Sequence, residues 1–327
     1  MSGKTSWGVL GGLLLALTTA AMPAQAAPLK IGYSDWPGWV AFEVAISKGW
    51  YKDAGVDVSF QWFDYVASMD AFSAGKLDAD LMTNGDTLVT GASGGKGIMV
   101  MATDYSDGND MVVAKSGIKT LKDLKGKKIG VEMGFVDHLL LLKGLELNGM
   151  TEKDVTLVNS KTNDTPQVLA SGQVDAIAAW QPSSGLAMKA LPGSKPVFTS
   201  KLAPGLIYDV LSVSPASLSA RKADWIKFIA VWDKIVAYIN DPATQADAIA
   251  IMSKRDGTTP AEYKSFLGGT RLLTLAEGKK VFKKGPGLDS MYGSTKVSDD
   301  FNIKYEVYKT PQNIESYIDP SLMEAQK

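Results

Sequence analysis

Acidic and aromatic side chains gather in this chain where apolar, strand-like runs give way to helix-like ones. Asp35 and Trp36, with Trp39 close behind, follow Leu29 to Tyr33; Asp64 follows Val56 to Phe60; Asn84 and Asp86 follow Leu77 to Met82. A second group has the same character: Glu132, Phe135 and Asp137 after the run from Lys128, Trp180 in the turn that follows Asp175-Ala176, and Asp209 in a later apolar run. None of these turns contains lysine or arginine. Carboxylates accept N–H donors two at a time, and an indole face attracts a cation by about 0.5 to 2 kcal/mol per contact. The chemistry suits a compact, planar cation with many donors: guanidinium meets all three requirements and urea two. For an anion, helix amino ends supply roughly half a positive charge each, but full carboxylates in the same turns would more than cancel that field. Asp35, Asp86 and Asp137 also stand where helices open, and aspartate is a favoured cap there whatever binds nearby. Asp64 and Glu132 are less easily explained as caps.

A repeated plan positions these turns. KIGYSDWPGWVAFEVAISKGW from Lys30 is answered by KIGVEMGFVDHLLLLKGLELNGM from Lys128. Ser73-Ala74-Gly75-Lys76-Leu77-Asp78-Ala79 is answered by Ala170-Ser171-Gly172-Gln173-Val174-Asp175-Ala176. Gly32 to Gly130 is a shift of 98, while Gly75 to Gly172 and Asp57 to Asp154 are shifts of 97. So steady a shift across separate landmarks indicates duplication. Each copy reads strand, helix, strand, helix, strand, which predicts a parallel sheet covered on both faces, with ligands held at the carboxyl ends of the strands. Asp110 to Ala114 and Ile207 to Val213 read as strands joining the copies as a hinge.

Composition narrows the classes of function. Residues 1–26 carry Lys4, an apolar run and the small-residue site Ala24-Gln25-Ala26, the pattern of a cleaved secretory leader. Without it the chain holds 33 basic against 35 acidic residues, a net charge near minus two. Nothing in that balance suggests nucleic acid or an anionic membrane. With no cysteine and only His138, thiolate and multi-histidine metal sites are excluded. No acidic calcium loop occurs, and no cofactor is expected. The basic run Lys119 to Lys128 alternates with Leu121 and Leu124, as a solvated helix and turn would.

Enzyme signatures are few. Gly91 to Gly97 is one residue short of a phosphate loop and lacks its Ser or Thr. Gly91-Ala92-Ser93-Gly94-Gly95 does match a nucleophile elbow, which needs a strand feeding the serine. The preceding residues read as helix, and the single histidine lies in the other copy, so a hydrolase using Ser93 is a remote alternative. Trp225, Ile229, Trp232, Val236 and Ile239 share one helical face and read as core. Ala243 to Met252, Pro260 to Phe266 and Ser298 to Tyr308 read as later helices covering the first lobe.

The order IGYSDWPGW, KGWYKDAGVDV, AFSAGKLDA, IKTLKDLKGKKIGV and LASGQVDAIAAWQP resembles the extracytoplasmic substrate-binding proteins of ATP-binding-cassette importers, in the nitrate, sulfonate and taurine class. DWPGW, WFDYVASMDAF, MTNGD, GFVDHLLL and GLIYDVLSVSP resemble a branch labelled as urea importers, found beside urea carboxylase and guanidine-degrading enzymes. The resemblance implies an α/β, periplasmic-binding-protein-like fold of two doubly wound lobes joined by a two-strand hinge. Lobe one is expected over 27–112 and 208–327, lobe two over 113–207. It further implies a non-enzymatic periplasmic receptor, taken as a monomer, that closes on a small solute and delivers it to permease subunits in the inner membrane. A guanidinium-like or urea-like solute is expected, with an alkylsulfonate, taurine or nitrate as the alternative.

Overall fold

The computed structural model describes residues 1–3 and 27–326. The leader expected over 1–26 therefore lies, from Lys4 onward, outside the described residues. Among the described residues the strands are β1 (Leu29–Tyr33), β2 (Val58–Trp62), β3 (Ala79–Thr83), β4 (Ile98–Ser106), β5 (Met111–Ala114), β6 (Lys128–Val131), β7 (Thr156–Asn159), β8 (Ala176–Ala179), β9 (Lys195–Thr199), β10 (Tyr208–Val213) and β11 (Thr270–Leu272). They form two sheets, ordered β11-β4-β10-β3-β1-β2 and β7-β6-β8-β5-β9.

The duplication is present in the hydrogen bonds. In each sheet one strand lies parallel between two others, β1 between β2 and β3, and β6 between β7 and β8. An antiparallel strand follows in each, β10 beside β3 and β5 beside β8. The repeated aspartate fixes the register. Lys30 N donates to Asp78 Oδ2 at 2.9 Å, and Asp78 N donates to the Lys30 carbonyl at 2.8 Å. Lys128 N and Asp175 Oδ2 repeat the first bond at 3.0 Å, and Asp175 N and the Lys128 carbonyl repeat the second at 2.8 Å. Gly75 and Gly172, at φ of +70° and +77°, supply the left-handed residue just past the helices Tyr65–Ser73 and Thr165–Ala170. Among the core positions where the copies differ, Gly32 pairs with Asp80, whereas Gly130 pairs with Ile177.

Some boundaries move for physical reasons. β3 starts at Ala79, because Asp78 is occupied with the pin just described. Asp154, the counterpart of Asp57, closes a capping box with Thr151, so β7 begins at Thr156. β5 lies wholly in the second sheet, so the chain changes sheets within 107–110 rather than inside that strand, and it returns to the first sheet at β10. The late helix expected over Ser298 to Tyr308 runs from Met291 to Lys304. Its first turns bury Ser294 and Thr295, whose hydroxyls meet the Asn84 amide, so they lack the apolar period that marks a helix in sequence.

Trp225, Ile229, Trp232, Val236 and Ile239 are all buried, on helices Lys222–Ala230 and Trp232–Asn240. The Lys119 to Lys128 run holds only a short 3-10 turn, Leu121–Leu124, with both leucines buried. No helix among the described residues is long and apolar enough to cross a membrane.

Candidate functional site

The carboxyl ends of β1, β3, β6 and β8 meet the two chain crossings between the sheets. Beyond β1, Trp36 and Pro37 open the short helix Pro37–Val40. Gly38 lets this helix lie directly on an acid, since a Cβ there would stand 2.2 Å from Asp104 Oδ2. Trp36 Nε1 donates to Asp104 Oδ1 at 2.8 Å. The Trp39 ring lies 5.2 Å from Tyr65, and Tyr65 meets Trp180 of the other lobe edge-on at 5.3 Å. Tyr65 OH donates to Asp86 Oδ2 at 2.8 Å and accepts from Thr83 N at 3.0 Å. The result is an aromatic wall crossing from one lobe to the other.

Opposite it lie aspartates. Asp86, Asp104, Asp110, Asp137 and Asp209 are each at most 3% exposed. Asp104 and Asp209 stand opposite each other in the β4–β10 pairing, where the charge of one acts on the other. Asp110 Oδ2, Asp209 Oδ2, both Asp137 oxygens and Trp39 Nε1 have no protein partner. Two small adjoining voids occupy the cleft, each with room for about one water. The first is lined by Trp36, Trp39, Tyr65, Asp110, Trp180 and Asp209 among others. The second is bounded by Asn84, Asp86, Phe135, Leu139, Asn302 and Phe301 among others.

Burial raises every one of these carboxyls. Asp86 and Asp110 are pushed up to about 7 and Asp104 to about 6, while Asp137 and Asp209 are held well above the carboxylate range by burial and by neighbouring acids. The charges acting on Asp110, Asp137 and Asp209 are those of other acids. Such a cluster attracts positive charge strongly and can release protons to it.

The structure sorts the expected residues. Trp36, Trp39, Trp180 and Asp209 line the first void, Asn84, Asp86 and Phe135 the second. Asp35 accepts from Trp180 Nε1 at 3.2 Å and is pushed up to about 6 by burial, so it ties the lobes together at the rim. Asp137 is buried, with both oxygens facing other acids rather than a cap. Asn84 is committed to the fold: its amide donates to Ser294 and Thr295 and accepts from Tyr208 N. Glu132 accepts from Thr162 N and Oγ1 inside its own lobe, and Asp64 is exposed and accepts from Asn163 Nδ2 across the cleft. Both line a separate outer cleft. None of Asp35, Asp86 and Asp137 caps a helix with its side chain; Thr83 caps Asn84–Ala92, and the other two starts have no side-chain cap. Tyr65, Asp104 and Asp110 were not singled out. The available signal was an acid inside an apolar strand, Met99 to Asp104, and one at the crossing.

The elbow reading is overturned. Ser93 follows the helix Asn84–Ala92, not a strand, and its hydroxyl donates to the Val89 carbonyl at 3.1 Å. His138 belongs to the other lobe, is buried, is pushed down to about 4 by that burial, and accepts from Gly134 N through Nδ1.

Two α/β lobes around a buried polar cleft define a periplasmic-binding-protein-like fold. The chain belongs to the NMT1/THI5-like family, matched over residues 36–245. A Brucella abortus protein named as a binding protein is 29% identical over 187 residues, covering 55% of this chain and 58% of its own. The arginine-binding extracellular protein ArtP of Bacillus subtilis is 30% identical over 149 residues, 44% of this chain and 54% of its own. The chain thus spans a little over half the length of the curated relatives it matches. Among solved structures, the alkanesulfonate-binding protein of Xanthomonas axonopodis pv. citri bound to MOPS superposes with a TM-score of 0.75 at 18% identity, over 90% of this chain and 99% of its own. The periplasmic nitrate-binding protein of Synechocystis PCC 6803 gives 0.74 at 9%, over 92% and 88%. The desulfurization enzyme DSZB gives 0.64 at 14%, over 91% and 98%. Such identities establish the fold alone, and this fold carries both receptors and an enzyme.

Proposed function

We propose that the protein is a periplasmic solute receptor of the ABC import type that closes its lobes on a compact nitrogenous cation, guanidinium-like or urea-like, and delivers it to membrane permease subunits. The observation that carries this reading is the cluster of five buried aspartates, of which Asp110, Asp137 and Asp209 have oxygens lacking protein partners, set against Trp36, Trp39, Tyr65 and Trp180. A guanidinium would supply the missing donors to Asp110 and Asp209 and stack on indole. The ligand contacts proposed are Asp110, Asp209, Trp36, Trp39, Tyr65 and Trp180, with Asp86 and Asp137 setting the field. Resemblance to the urea and guanidine branch agrees with this, and one relative is named for arginine, whose side chain is a guanidinium.

The second reading is an alkylsulfonate, taurine or nitrate receptor. The comparisons favour it by name, since structures sharing this fold are named for sulfonate and nitrate. The acids of this cleft weigh against it, because an anion beside them would have to be met by protonated carboxyls. Calorimetry of the protein at pH 7.5 against guanidine, methylguanidine, urea, taurine and nitrate separates the two. Heat from guanidine or urea alone supports the cation reading; binding of taurine or nitrate with silence from guanidine and urea replaces it with the anion reading.

A further inference from the structure

His138, the single histidine of the chain, takes no part in the acid cleft, yet it stands where the two lobes meet. It lies on the lobe-two helix Val136–Leu147, and its ring packs at 5.2 Å on Phe301 and 5.7 Å on Tyr305, at the end of the lobe-one helix Met291–Lys304. Val307 of lobe one stands over Gly134 in the turn before it.

The surroundings of the ring accept one protonation state. Nδ1 accepts from Gly134 N at 3.2 Å, which leaves the proton of a neutral ring on Nε2, and Nε2 is buried without a protein partner. A second proton would have to sit on Nδ1, where it would break the Gly134 bond and put a charge among hydrocarbon. No acid is turned towards it. On its own helix Asp137 faces Asp110, Glu132 and Asp86, while Lys143 pairs with Glu146. On the facing helix Asp299 accepts from Tyr308 OH and Gln312 N, Asp300 pairs with Lys296, and Lys304 lies over the Tyr305 ring. Glu306, Lys122 and Asp123 are exposed, and strands β5 and β8 beneath the helix carry no charged residue.

Resting on the lobe closure proposed above but not on which solute is held, we propose that His138 is a proton-sensitive latch: neutral, it lets the lobes lie together on Phe301 and Tyr305, and protonated, it requires them to part. Burial pushes the enclosed imidazole down to about 4, whereas a hydrated one titrates near 6.5. The joined form is therefore favoured in full above about pH 6.5 and loses ground as pH falls towards 4. At about pH 5 the balance moves roughly thirtyfold towards parted lobes. The cleft aspartates act in the opposite sense, since enclosure favours their protonated forms. The latch is thus read by comparison with a chain that lacks the imidazole.

The test follows the lone imidazole by NMR and the spacing of the lobes by small-angle X-ray scattering, on solute-free protein from about pH 8 to about pH 4.5. His138→Phe, which keeps a ring, and His138→Gln are measured beside it; the NMR readout needs no variant. In the unsubstituted protein the radius of gyration is expected to grow as pH falls below about 6.5, with His138 taking up its proton over the same range. In both variants it should stay constant or shrink. The same pH response in all three forms, or a protonated His138 while the scattering remains that of pH 8, overturns the latch. Calorimetry with guanidine, urea, taurine and nitrate at pH 7.5 judges the receptor reading separately: silence from all four removes that reading and leaves the scattering comparison to decide the latch.

Discussion

Asp110 offers the most direct trial of the electrostatics, because its replacement is expected to stabilise the empty protein while disabling the site. An unfolded aspartate titrates near 3.9, and burial pushes folded Asp110 up to about 7. Between those values the folded chain holds more protons than the unfolded one, so stability falls as pH rises and the loss is complete above about pH 7. Roughly three pH units at about 1.36 kcal/mol each give a penalty of about 4 kcal/mol. This is an upper figure, since Asp104 and Asp86 contribute to the same repulsion. Asp110→Asn keeps the shape and removes the charge. At about 2 °C per kcal/mol for a chain of this size, its melting temperature without ligand is expected to exceed that of the unsubstituted protein by roughly 5–8 °C at pH 8. Near pH 4 both forms are largely neutral there and the gain should nearly vanish. Scanning fluorimetry at the two pH values measures this, and guanidine titration at pH 8 should show at least tenfold weaker binding. A gain of equal size at both pH values, or a loss at pH 8, would refute the reasoning, because the carboxylate would then carry no burial penalty.

Other consequences can be measured independently. Trp180→Phe removes the donor to Asp35 and should weaken solute binding by roughly ten- to a hundredfold, the worth of one hydrogen bond to a charged group, with the fold intact by circular dichroism. Gly38→Ala drives a methyl into the Asp104 carboxylate and should cost about 1–3 kcal/mol in urea denaturation. Asp78→Ala and Asp175→Ala remove equivalent pins, so each should cost about 1 kcal/mol; a large cost at one and none at the other would break the equivalence of the lobes. Ser93→Ala should leave calorimetric solute affinity unchanged, and Ser93 should resist labelling by a fluorophosphonate.

The repeat was legible because the residues that recur do so for backbone reasons. Gly75 and Gly172 must be left-handed, and Asp78 and Asp175 must reach the strand-opening N–H groups of Lys30 and Lys128. The turns at the strand ends were legible for the same reason, and they brought Trp36, Trp39, Trp180 and Asp209 to one void. What the sequence hid was depth. Asp104 sits inside an apolar strand, where an acid looks like an interruption until Trp36, Thr103 and Asp209 are seen around it. Tyr65 opens a helix and reads as ordinary packing, yet its hydroxyl joins Thr83 to Asp86. Glu132 and Asn84 lie in the right turns, but each is satisfied by neighbours distant in sequence, Thr162 and the pair Ser294 and Thr295.

All nine residues around the first void are at most 5% exposed, Trp180 Nε1 donates to Asp35 beside it, and Asn163 donates to Asp64 in the outer cleft. If the protein closes on its solute as proposed, entry and exit share one gate, the parting of the lobes. Tightly held solutes should then leave at rates that approach one common opening rate, whatever their chemistry, and Trp180, as a fluorophore on that seam, is placed to time each passage.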